Sequence, residues 1–204
     1  MNHISQDPKI YTIDDYLTEE ECQHFINISE NKFERSLVTG NDSNFVSEQR
    51  SSQNYWLPHD KDEITLRVAT KISELVNYPL ENAEMFQVIY YGKNQEYYNH
   101  CDSWHFDGSE ESKRCLLRGG QRMVTALVYL NDVEHGGETK FTRLNISVYP
   151  KKRKLLVFHN CKEGTNILNP MSEHAGTSVI KGEKYAFNLW FRQQSLNKNY
   201  IHPY

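Results

Sequence analysis

Hydrophobic positions change their spacing near residue 84. Before it, Ile64, Val68, Ile72 and Leu75 recur three and four residues apart in "DKDEITLRVATKISELVN", the period of a helix with one buried face. Asp60 or Asp62 supplies its start, and Pro79 lies just past its end. An earlier helix is signalled by "YLTEEECQHFINISENK". Thr18 and Glu21 have capping-box spacing, Leu17 and Cys22 occupy the flanking staple positions, and Phe25, Ile28 and Phe33 form the apolar face. After residue 84, short β-rich runs follow one another: "MFQVIYY", "MVTALVYL", "TKFT", "ISVY", "KLLVFHN", "TSVI" and "YAFNLWFR". Turn material such as "GKNQ", "NDVEHGGE" and "IKGEK" separates them. Strands in series with no long helix between them predict a sandwich or barrel. The expected fold is mainly β with N-terminal helices (α+β), in one domain. Residues 1–83 form a helical support layer with an N-terminal strand, 84–194 the β core, and 195–204 a C-terminal tail.

Composition narrows this picture only a little. A chain of 204 residues, 38% hydrophobic and 25% charged, has an ordinary globular composition and room for a substantial core. A net charge of −4 gives no general reason to expect a nucleic-acid partner. No apolar run approaches the ~20 residues of a membrane span, and "MNHISQDPKIYTIDDY" lacks the basic start and apolar run of a secretory signal. Cys22, Cys101, Cys115 and Cys161 show no CxxC spacing and read as free thiols. The expectation is a soluble, cytoplasmic protein. Oligomeric state leaves no trace in the sequence.

Candidate chemistry is concentrated in "YYNHCDSWHFDGS", residues 97–109, where His-x-Asp occurs twice: His100 with Asp102, and His105 with Asp107. Residues two apart on a strand share a face, and two such ligands plus a distant histidine make the 2-His-1-carboxylate set of non-haem iron(II). In a chain with nine histidines and nine aspartates, roughly 0.4 such pairs arise by chance. A pair alone is therefore weak, and spacing leaves either one open.

The wider context resembles the iron(II)- and 2-oxoglutarate-dependent dioxygenases of the prolyl 4-hydroxylase family, in its collagen- and plant-type branch. "HAGTSVIKGEKYAFNLWFR", from His174, is similar to the family signature H-x-G-x-P-V-x-x-G-x-K-Y followed by tryptophan, departing only in Ser178 for proline. "GGQRMVTALVYLNDVEHGGETKF" (119–141) follows a second family segment almost throughout, and "RSSQNYWL" (50–57) is a weaker match. The family carries tyrosines nine and three residues before its first histidine ligand. Tyr91 and Tyr97 fill those places only if that ligand is His100, because counting back from His105 gives Glu96 and Asp102.

The resemblance implies a double-stranded β-helix (jelly-roll) core. It assigns His100, Asp102 and His174 to Fe(II), and Lys184 to the far carboxylate of 2-oxoglutarate with Tyr91 and Thr139 hydrogen-bonding the same end. Tyr97 and Trp190 would line the mouth, and Arg122 would be a groove cation. It further implies O2 and ascorbate, oxidative decarboxylation of 2-oxoglutarate, and hydroxylation of a proline-containing peptide or protein. Asn94 stands where glycine is usual, acceptable because asparagine enters the left-handed region. Thr142 replaces a proline, and 103–118 is longer than typical; this stretch and 36–55 read as polar loops that close over a peptide. Lysyl hydroxylases, oxygen-sensing prolyl hydroxylases and nucleic-acid demethylases normally hold the co-substrate with arginine, which Lys184 opposes. Same-fold oxygenases of other substrates, a free amino acid included, and a non-catalytic β-roll binding module are the remaining alternatives.

Overall fold

The apolar runs after residue 84 pair into two facing sheets in the computed structural model, which describes residues 1–38 and 43–196. In chain order the strands are β1 (Asn2–Gln6), β2 (Lys9–Ile13), β3 (Glu34–Arg35), β4 (Gln53–Leu57), β5 (Phe86–Tyr91), β6 (Tyr97–His100) and β7 (Arg122–Tyr129). They continue with β8 (His135–Gly136), β9 (Thr139–Phe141), β10 (Ile146–Val148), β11 (Leu155–His159), β12 (His174–Gly176), β13 (Val179–Lys181) and β14 (Lys184–Arg192). The large sheet runs β1-β2-β11-β7-β14-β5-β4-β3, and the small sheet runs β10-β9-β12-β6. A two-stranded piece, β13-β8, completes the roll.

Side chains alternate across the large sheet, and the two faces serve two cores. Val124, Ala126 and Val128 of β7 and Phe187, Leu189 and Phe191 of β14 belong to the core shared with helices α1 (Glu19–Ser29) and α2 (Glu63–Val76). There Phe25, Phe86 and Phe187 meet with ring centroids 4.6–4.9 Å apart. The intervening residues Leu127, Tyr129 and Ala186 belong to the core shared with the small sheet. Thr125, Lys184 and Trp190 fall on this second set by the same alternation, so the strand period aims them at the space between the sheets.

The helices form where the sequence places them. Thr18 accepts from Glu21 N, and the Glu21 carboxylate accepts from Thr18 N, closing the capping box of α1. Asp62, not Asp60, caps α2 by accepting from Thr65 N, and Asn77 ends it in the left-handed region. Two expectations need correction. The region before residue 84 supplies four strands, β1–β4, as well as its helices, and they extend both edges of the large sheet. These strands are only two to five residues long, and β2 and β4 join the sheet through the later strands β11 and β5, so local pattern carries little of it. The 103–118 stretch, expected as a loop, contains α3 (Glu110–Leu116). Ser109 caps it, Glu110 and Glu111 lie in its first turn, and Lys113 and Arg114 lie in its last. Residues 39–42 of the 36–55 segment and 197–204 of the expected tail lie outside the described residues. Among the described residues no helix is long and apolar enough to cross a membrane, and all four cysteines are free thiols.

Candidate metal centre and co-substrate cavity

Strand register brings two of the proposed ligands together. His174 opens β12 and pairs directly with His100 at the end of β6, and Asp102 follows two residues later. Asp102 Oδ1 lies 3.8 Å from His100 Nε2, and Oδ2 lies 3.9 Å from His174 Nε2. Ligand atoms of the three residues all fall within 4.8 Å of one another, the one such group among the described residues. A first-row divalent ion with bonds of about 2 Å is reached from all three by small inward rotations.

The groups behind the ligands fix their chemistry. Nδ1 of His100 donates to Tyr98 O at 2.8 Å, and Nδ1 of His174 donates to Ser172 O at 2.9 Å. A carbonyl only accepts, so the proton sits on Nδ1 and each Nε2 lone pair faces the centre. Burial, with His174 alongside, pushes His100 down to about 3 and keeps it neutral. Burial alone would raise Asp102. Its neighbours His174, His100 and Arg122 and the Thr125 hydroxyl instead hold it below its ordinary value, ionised. Two imidazole nitrogens and one carboxylate fit a ferrous ion, and one carboxylate charge against two on the ion leaves net positive charge toward an anionic co-substrate.

His105 and Asp107 are not part of this group. His105 is exposed at the cavity rim. Asp107 accepts from Ser109 N and Ser112 Oγ at the start of α3, hydrogen bonds that push its pKa down to about 2.

A cavity of about 940 Å³ opens onto the three ligands and is lined also by Tyr91, Tyr97, Arg122, Thr139, Lys184 and Trp190. All nine residues singled out from the sequence therefore border one space. Lys184 opens β14 opposite Tyr91 and is only 2% exposed. Its Nζ donates to Gly137 O at 2.8 Å and lies 5.1 Å and 5.4 Å from the ring centres of Tyr91 and Tyr129. Among the described residues no carboxylate lies within ion-pair distance of it. Burial pushes it down to about 8, against the attraction of Glu138. Thr139 Oγ1 accepts from Tyr129 Oη at 2.8 Å, which leaves its own proton to donate.

The other side of the cavity is more committed than the sequence suggested. Trp190 is 4% exposed, and its Nε1 donates to Asp102 Oδ2 at 3.0 Å, so it holds a ligand as well as bordering the space. Arg122 stacks 3.7 Å from the Trp190 ring centre and grips Glu84 with two hydrogen bonds of 2.6 and 2.8 Å. Arg192 donates to the same Glu84 at 2.6 Å. Burial alone would raise Glu84, but Arg122, Arg192 and Arg118 hold it far below the usual carboxylate range. Tyr97 stacks flat on His100 at 3.7 Å, with Arg50 over the Tyr97 ring at 4.7 Å. Sequence reasoning passed over Glu84, Thr125 and Asn160. Glu84 carried no local signal, whereas Thr125 lay inside a quoted family segment.

A buried lysine in one cavity with a 2-His-1-carboxylate group, on a jelly roll, defines a class. The chain belongs to the 2OG-Fe(II) oxygenase superfamily, whose family model matches residues 86–192, and it is a 2-oxoglutarate-dependent dioxygenase. Within that class it is similar to prolyl 4-hydroxylases. It is 32% identical to prolyl 4-hydroxylase 2 of Arabidopsis thaliana over 99% of this chain and 73% of that protein. It is 34% identical to a putative prolyl 4-hydroxylase of Acanthamoeba polyphaga mimivirus, covering 93% of this chain and 76% of that one. The crystal structure of the viral collagen prolyl hydroxylase of Paramecium Bursaria Chlorella virus-1, a 2OG complex, superposes with a TM-score of 0.71. The two are 29% identical, with 90% of this chain and 95% of that one covered.

Proposed function

We propose that this chain hydroxylates a prolyl residue of a peptide or protein at the 4-position. His100, Asp102 and His174 hold the iron, and Lys184, Thr139 and Tyr91 hold the far carboxylate of 2-oxoglutarate. The observation that carries the reading is Lys184: a buried ammonium with no carboxylate partner among the described residues, in the cavity that the three ligands face. Such a charge is costly until an anion joins it. The iron and 2-oxoglutarate, when bound, supply O2 activation coupled to decarboxylation, yielding succinate, CO2 and a hydroxylated C–H position.

The chain's own residues orient and shield. Tyr98 O and Ser172 O keep both imidazoles in the metal-binding tautomer. Thr125 and Trp190 hold Asp102 by one oxygen. Tyr97 and Trp190 border the cavity beside the reacting centre, aromatic surroundings suited to a pyrrolidine ring. Arg122, pinned by Glu84 and stacked on Trp190, stiffens that wall and keeps the Trp190 indole aimed at Asp102. The four free thiols support action in a reducing compartment such as the cytoplasm.

The test is turnover: succinate release from 2-oxoglutarate with iron and ascorbate, with and without proline-rich peptides. A 16-dalton gain on proline is the expected product signature. Succinate release that no proline peptide stimulates, with a mass gain on lysine or a free amino acid, would replace prolyl by another substrate.

A further inference from the structure

The carboxylate of Asp102 is held by side chains buried behind the cavity. Thr125 is 1% exposed and Asn160 is fully buried. Thr125 lies directly across from Trp190 in the β7–β14 register, so both donors converge on Asp102 Oδ2, the hydroxyl at 2.6 Å and the indole at 3.0 Å. A carboxylate only accepts, so the one hydroxyl proton of Thr125 is spent on Asp102. The Thr125 oxygen is free to accept, and Asn160 Nδ2 donates to it at 2.9 Å. The chain of bonds has one polarity, from amide to hydroxyl to carboxylate. That polarity also sets the amide orientation, since a flipped Asn160 would face Thr125 with an acceptor against an acceptor.

Two further observations single out Asn160. Its Oδ1 is buried with no partner among the described residues, an expense an apolar side chain of similar size would avoid. The donor is the part of the amide that the site uses. Its backbone oxygen, directly after β11, accepts from Asn169 N at 2.9 Å. Asn169 O in turn accepts the Ser172 hydroxyl proton at 2.7 Å, and Ser172 O is the group that orients His174. One residue thus reaches Asp102 through its side chain and anchors, through its backbone, the turn that precedes His174.

We propose that Asn160 is a positioning residue for the metal centre, acting through Thr125 to keep Asp102 Oδ2 turned toward its donors. The proposal rests on the reading of His100, Asp102 and His174 as metal ligands. It is tested by titrating metal-free protein with Co(II) in a calorimeter and recording a melting curve for each variant. Asn160→Ala and Thr125→Val are each expected to weaken Co(II) binding about 10- to 100-fold, with Thr125→Ser restoring it. The double variant is expected to bind no worse than Thr125→Val alone, because the amide acts only through the hydroxyl. Unchanged affinity in Asn160→Ala, no recovery in Thr125→Ser, or losses that multiply in the double variant would each overturn the proposal. Should Asn160→Ala not fold, Asn160→Leu keeps the volume without the donor and is held to the same outcomes. Failure of the wild-type protein to bind Co(II) would instead remove the metal reading, which keeps the two failures apart.

Discussion

Raising the pH from 7 to 9 is expected to weaken 2-oxoglutarate binding about tenfold through Lys184 alone. Burial moves this ammonium from 10.5 to about 8. The charged fraction of the free protein therefore falls from about 0.9 at pH 7 to about 0.1 at pH 9. The ligand's carboxylates stay ionised across this range, and affinity scales with the competent fraction. The loss is about 1.3 kcal/mol. Stability responds with the opposite sign. Between about 8 and 10.5 the unfolded chain holds the lysine proton more tightly than the folded one. The free protein therefore gains stability as pH rises through that window, about 3 kcal/mol in all from this group. Unfolding through Lys184 is then no explanation for weaker binding at pH 9. The assay is anaerobic calorimetry of Mn(II)-loaded protein with 2-oxoglutarate at pH 7, 8 and 9. At pH 8 about half a proton is taken up, visible as a dependence of the heat on the buffer. Lys184→Arg keeps a permanent charge and is expected to give a flat profile even if its affinity is lower. A flat wild-type profile, or the same slope in Lys184→Arg, would refute the reasoning.

Further outcomes follow from the same geometry. His100→Ala is expected to abolish Co(II) binding and succinate release while His105→Ala spares both; the reverse would put the metal on the second His-x-Asp pair. Glu84→Gln leaves Arg122 and Arg192 facing a neutral amide in a buried site. That is expected to cost about 3–5 kcal/mol, a fall in melting temperature of about 6–20 °C by scanning calorimetry; a fall under about 2 °C would show that water already screens the cluster. Gly136 has φ +82°, and a Cβ there would lie 2.2 Å from Ser178 O. Gly136→Ala is therefore expected to cost at least about 2 kcal/mol and to raise KM for 2-oxoglutarate, because the next residue's carbonyl holds Lys184. An unchanged KM would separate the β8–β13 pairing from the anion pocket.

Much of this protein was legible along the chain because its signals are local. Thr18 with Glu21 and Asp62 with Thr65 are caps, set within one helical turn. Asn94 takes φ 63°, as expected of the residue standing in for glycine. The alternation in β7 and β14 is a period-two pattern that any register preserves. Helix α3 had equally local signals in Ser109, Glu110 and Arg114, and they were outweighed by the polarity of the stretch around them.

What sequence determined by itself, then, was α1, α2 and the run of strands after residue 84 and, with the family likeness, the expectation that His100, Asp102, His174 and Lys184 share one site. Tertiary structure alone decided which distant residues stand behind them. Glu84 meets Arg122 and Arg192, separated by 38 and 108 positions, only because β5, β14 and β7 lie side by side. Thr125 and Trp190 reach one carboxylate oxygen because strand pairing sets them opposite. The physical reason is range. Caps and side-chain alternation act over a few residues, whereas a buried charge or a metal ligand is oriented by whatever the sheet register places beside it.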